Sequence, residues 1–243
     1  MLHFLRLLLV IAVVWLLVLA WTTSIQGSTP SPIAPAAVVP TSQPTPRPPT
    51  PSVSTPYVPV LPWSIHTYPS LEAFIAEAQT NVNDYWLHQP FPANRPYAPP
   101  RVELMQPGQS VPCAARLTQW TSFYCPTERT IYLYQPGLQI GNSWAGYAAM
   151  YATLAHEFTH QVQFILGVPQ VEPQLELQAD CGSGMFLAAA WPDMAQSDLE
   201  PLRRLLATTP SDAAHGTPTQ RLAAFDNGYQ RGAADHCGLP IAG

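Results

Sequence analysis

Residues 153–164 read TLAHEFTHQVQF, with two histidines four apart and a glutamate directly after the first. On a helix, residues at that spacing project from one face, one turn above the other, so His156 and His160 can offer both imidazoles to a single ion. Glu157 is turned about 100° from His156, close enough to work on a metal-held water without being a ligand. This is why the HExxH spacing carries chemistry: two nitrogen ligands and a carboxylate base on one rigid element. By this chain's composition the pattern arises by accident roughly once in 150 chains, so a metal site outweighs an ordinary helix face.

A catalytic zinc takes three protein ligands and leaves one position open, so a third ligand must come from elsewhere. Downstream lies ELQAD, Glu176 to Asp180, with the two acids again four apart. One of them can bind the ion while the other accepts the free ring N–H of a zinc-bound histidine. The alternative is a solvated acidic face. Against it, the stretch that follows, CGSGMFLAAAW, is apolar or small, and the chain is only 10% charged.

Around these motifs the helix signals outweigh the strand signals. Ser70 caps a helix running to Leu87, with Leu71, Phe74, Ile75, Ala78 and Val82 on one side. Residues 90–112 are proline-broken loop with room for one short strand. TIYLYQP (130–136) is the clearest strand, ended by Pro136 and Gly137. Asn142 or Ser143 opens a long helix to Leu166 that Gly167 stops, with Leu154, Phe158, Val162 and Ile165 assigned to the core. A second helix spans Pro173 to Trp191, where Gly182 and Gly184 allow close approach to the HExxH helix. Ser197 with Glu200, and Thr217 with Gln220, each fit a capping box. The expected class is α+β, mainly helical, with a small sheet.

The chain has 243 residues and 29 prolines, concentrated in a proline, serine and threonine tract at residues 28–62. Such a composition buries too little surface to offset its ordering entropy and reads as an extended spacer. Ahead of it, LLLVIAVVWLLVLAW (7–21) lacks any polar side chain. It is longer than the usual signal-peptide core and shorter than a full span. The reading is a membrane-anchoring segment at 1–27, with a cleaved signal peptide as the alternative, followed by a folded domain at 63–243 on the outer side of the membrane. Four cysteines fit an exported chain: Cys113 pairs with its near neighbour Cys125, and Cys181 with Cys237. A four-thiolate zinc site is disfavoured because no CxxC spacing is present. With ten arginines, no lysine and a net charge of -5, the chain has no basic stripe for nucleic acid.

YATLAHEFTHQVQFILG, ELQADCGSG, HGTPTQRLAAFDNGYQRG and SFYCPTERTIYL (122–133) together resemble the bacterial neutral zinc metallopeptidases, a group with an N-terminal membrane segment. The resemblance implies a zincin-like fold, Zn2+ held by His156, His160 and Glu176, and Glu157 as catalytic acid and base. It places Asp180 behind the ligands and makes a protein or peptide the substrate. Phe158 and Thr159 depart from the small residues common at those positions. The resemblance also suggests that TIYLY is a sheet edge for an extended peptide; an internal strand is the other reading. His215, just before the last helix, is a candidate donor to the developing oxyanion, with Tyr147, Tyr151 and Tyr229 as further donors or as packing residues. His66, His88 and His236 lack partners at ligand spacing. Two other functions stay open: a binding module that keeps the scaffold without turnover, and a cell-wall hydrolase.

Overall fold

The computed structural model describes residues 68–111, 113, 122–209 and 212–241. The expected anchor, the spacer and His66 lie outside them. Among the described residues no helix is long and apolar enough to cross a membrane.

Helix α1 (Leu71–Leu87) starts where expected, with the Ala73 N–H donating to Ser70 Oγ, and it buries Phe74, Ile75, Ala78 and Val82 together with Tyr85 and Trp86. Three short strands follow: β1 (Arg101–Met105), β2 (Phe123–Cys125) and β3 (Thr130–Tyr134), in the sheet order β1-β3-β2. The β1 strand runs parallel to β3 and β2 runs antiparallel to it. All five residues of β3 are buried. Side chains alternate across a strand, so Ile131 and Leu133 enter the main core while Tyr132 and Tyr134 join a smaller cluster with Met105, Val111 and Cys125. TIYLY is therefore internal, and the edge strand on that side is β2.

Pro136 does not end the chain's regular structure. It occupies the first turn of helix α2 (Gln135–Leu166), a position where its missing N–H costs nothing. The expected start at Asn142 or Ser143 is corrected accordingly. What the sequence reading took for a helix start is a break inside α2, where Ala145 and Gly146 leave helical geometry. Gly146 sits at φ 61° and ψ -157°, which a side chain would strain. Beyond the break α2 runs straight through the histidines to Gly167. Leu154, Phe158 and Val162 are buried as expected, but Ile165 is half-buried and Leu166 takes its core position.

Helix α3 (Gln174–Ala190) packs against α2, and α4 (Gln196–Thr208) and α5 (Pro218–Arg231) complete the bundle. The capping box expected at Ser197 is absent: α4 begins two residues earlier, with Ala195 at the N-cap and no side-chain cap. The box at Thr217 and Gln220 is present in both directions, and Pro218 opens α5. The two glycines of α3 face different neighbours. A Cβ at Gly182 would collide with Thr159 of α2, as expected, whereas one at Gly184 would collide with the Phe225 carbonyl of α5. Gly228 of α5 returns the contact against Cys181, so α3 and α5 cross backbone to backbone. Disulfides join Cys113 to Cys125 and Cys181 to Cys237. The latter ties the short 3-10 helix Ala234–Cys237 to α3.

Candidate metal centre

One turn of α2 and the first turn of α3 face each other across a cleft of about 280 Å³, lined by His156, Glu157, His160 and Glu176 with Phe123, Tyr124 and His215. Three ligand atoms converge there. His156 Nε2 lies 3.0 Å from Glu176 Oε2, His160 Nε2 lies 3.4 Å from the same oxygen, and the two nitrogens are 3.1 Å apart. Ligand atoms around a tetrahedral zinc with bonds of about 2.1 Å stand about 3.4 Å from one another, so the triangle has the size a zinc ion needs.

The protons say the same. Asp180 Oδ1 lies 3.0 Å from His156 Nδ1, and a carboxylate only accepts, so that nitrogen carries the proton. On the other histidine, Gln163 Oε1 lies 2.8 Å from His160 Nδ1. The orientation of that amide is fixed, because Gln163 Nε2 donates to the Leu175 carbonyl at 2.8 Å and to Gln178 Oε1 at 2.9 Å. Both rings therefore donate outward from Nδ1 and turn the lone pairs of Nε2 inward, toward each other and toward a carboxylate. Three electron-rich atoms held within 3.4 Å repel one another unless a positive charge stands between them. A divalent cation would supply that charge. Without one, a proton does: burial alone would lower the His156 pKa, but Asp180 and Glu176 outweigh it and push it up to about 10. Glu176, despite burial that would raise it, is held well below the usual carboxylate range by the two histidines.

Behind this triangle lies a layer the sequence reading only half foresaw. Asp180 is where it was expected, against His156. Its second oxygen accepts from Arg221 Nε at 2.8 Å, and Arg221 Nη2 donates to Oδ1 at 2.8 Å. Burial would raise the Asp180 pKa, yet Arg221 and His156 hold it down. Arg221 reaches it because the Thr217 capping box fixes the start of α5 and the glycine crossing brings α5 against α3. Neither Arg221 nor Gln163 was singled out from the sequence. Gln163 could have been, since it follows His160 by three and so shares its face; Arg221 depends on a crossing that no spacing announces.

Glu157 is 6% exposed and faces the cleft, and burial raises its pKa despite the neighbouring histidines. His215 is also brought to the site. Its Nε2 lies 3.6 Å from Glu176 Oε2, and its Nδ1 lies 2.8 Å from Asp212 Oδ2, with its own backbone N–H donating to Oδ1 at 2.6 Å. The three tyrosines are not brought there. Tyr151 is fully buried, its hydroxyl 2.9 Å from that of Tyr68; Tyr147 stacks on Phe74, and Tyr229 on Phe225. His88 lies at the end of α1, with Nδ1 2.7 Å from the Asp84 carbonyl, and His236 lies in the 3-10 helix.

Residues 67–174 match a family described as "Putative neutral zinc metallopeptidase". The resemblance read from the four sequence blocks is thus shown over the part of the chain that holds both histidines and Glu157. The family match stops short of Glu176, so the ELQADC block and the HGTPTQ block after it stand outside the matched stretch. The chain is also similar to uncharacterized proteins of Mycobacterium bovis and of two strains of Mycobacterium tuberculosis. Each is 28% identical over 183 residues, which cover 58% of this chain and 62% of the relative. No solved structure matches.

Proposed function

We propose that residues 63–243 form a zinc-dependent endopeptidase of zincin type, acting outside the cytoplasm. The observation that carries this reading is the inward-facing set of two imidazole nitrogens and one carboxylate oxygen, with a buried carboxylate one residue along the same helix. His156, His160 and Glu176 would hold the ion, leaving its open side to the cleft. A bound zinc ion supplies Lewis-acid polarisation of the scissile carbonyl and acidifies an attacking water.

The chain's own groups do the rest. Glu157 takes the proton of the attacking water and returns it to the leaving amine; burial raises its pKa and so favours the protonated form it passes through. Asp180 and Gln163 hold the two rings in the tautomer that leaves Nε2 free. His215, oriented by Asp212, donates from Nε2 to the oxyanion when doubly protonated. An extended peptide pairs along β2, the edge strand whose Phe123 and Tyr124 line the cleft. Residues 1–27 anchor the domain to the membrane and residues 28–62 hold it clear; the two disulfides suit that oxidising side.

The test pairs zinc content by mass spectrometry with casein cleavage, wild type beside Glu157→Gln. The variant is expected to keep one zinc per chain and to lose at least about a thousandfold in cleavage. Equal cleavage by both proteins would remove Glu157 from the mechanism, and zinc without any cleavage by the wild type would favour a binding module.

A further inference from the structure

A second cavity, of about 370 Å³, shares His156, Glu157, His215 and Ser122 with the cleft. Its walls come from three places: Ile140 before the break in α2, Ala149 and Ala152 after it, and Leu202, Leu205 and Leu206 of α4. The break at Ala145 and Gly146 falls between the two parts of α2 that line this space.

The cavity offers little to a polar guest. Each hydroxyl on its surface is already engaged by the backbone: Ser122 Oγ accepts from the Tyr134 N–H at 3.0 Å, Thr153 donates to the Ala149 carbonyl at 3.0 Å, Ser183 to that of Asp180 at 2.8 Å, and Thr209 to that of Leu205 at 2.9 Å. The charges deep in it, Asp180 and Arg221, are paired with each other through two hydrogen bonds. Apart from His156, Glu157 and His215, which it shares with the cleft, what remains for a guest is methyl and methylene surface from α2 and α4.

Resting on the peptidase reading above, we propose that this cavity receives a large apolar side chain of the substrate, that of the residue next to the bond being cleaved, and so sets the cleavage specificity. Ala149 and Ala152 are small where they face it and lie two turns and one turn before His156, so a side chain lodged against them brings its own backbone to Glu157. A leucine or phenylalanine there removes apolar surface from water on both partners. A charged or amide side chain lodged against α4 would give up its water for the leucine surface there.

The experiment uses the full-length, zinc-loaded chain and a synthetic peptide library randomised on both sides of the cut, with products mapped by mass spectrometry. Leucine, isoleucine, methionine and phenylalanine are expected to exceed glycine, serine and aspartate on one side of the bond by at least about tenfold. Ala152→Phe, which fills the cavity, should bring that ratio to within about threefold of unity. Leu206→Ala, in a half-buried wall, should shift the preference toward phenylalanine and tryptophan, and decides the matter if Ala152→Phe does not fold. A wild-type profile indifferent to size and polarity on both sides, or profiles unchanged in the folded variants, would overturn the assignment. Should the wild type hold zinc and cut nothing, the peptidase reading fails separately, and calorimetry then decides the pocket. In that case leucine hydroxamate should bind at least tenfold more tightly than glycine hydroxamate, and equal affinities would overturn it.

Discussion

The two sides of the cleft are built differently. On one side stand His156, His160 and Glu176, on consecutive helices, backed by Asp180, Gln163 and Arg221, with both Nδ1 atoms and both Asp180 oxygens engaged. On the other stands His215, 35% exposed on a short loop and oriented by Asp212, which is itself 53% exposed. The first side is fixed before any ligand arrives; the second is held by one exposed carboxylate. Buried, satisfied networks define geometry, whereas an exposed loop contact is easily lost to water. Substitutions on the ligand side should therefore act through metal affinity, and those on the loop side through rate alone.

Ways to break that contrast follow from the contacts. His156→Ala should have the largest effect, abolishing stoichiometric zinc and all cleavage, because it removes a ligand and takes away the imidazole that both Asp180 and Glu176 contact; metal content after dialysis checks it. His215→Ala should leave zinc content unchanged while lowering kcat by roughly a hundredfold, the usual cost of one oxyanion donor. If zinc were lost as well, the loop would belong to the ligand side and the contrast would fail. Arg221→Gln should weaken zinc binding by about tenfold or more, as loss of a group behind a ligand does, with a smaller effect on the turnover of the fully loaded protein. Gln163→Leu should give the smallest change, about tenfold in zinc affinity at most, since it frees the His160 tautomer without removing a charge. Competition titrations against a zinc-binding dye would rank the last two.

The same difference explains what could be read in advance. HExxH and ELQAD lie on single helices, where spacing alone dictates which side chains share a face, so His156 with His160, and Glu176 with Asp180, were legible as two pairs, while the resemblance assigned Glu176 rather than Asp180 to the ion. Gln163 obeyed the same rule and was overlooked. Arg221 was not legible, because its place depends on the crossing of α3 and α5 through Gly184 and Gly228. Local propensity misplaced the start of α2 for a related reason. Pro136 and Gly137 look like a terminus, but a proline in a first turn is harmless, and the real interruption is at Gly146. The β2 strand was too short at three residues to stand out, although it turned out to be the edge that faces the cleft.

The most direct measurement is zinc K-edge X-ray absorption on the purified full-length chain, with the metal counted by mass spectrometry. One zinc per chain is expected, with two imidazole nitrogens and carboxylate oxygen at about 2.0–2.2 Å, and both the metal and the imidazole signal should vanish in His160→Ala. Zinc bound through sulfur, or retained in equal amount when His156, His160 or Glu176 is replaced by alanine, would contradict the account.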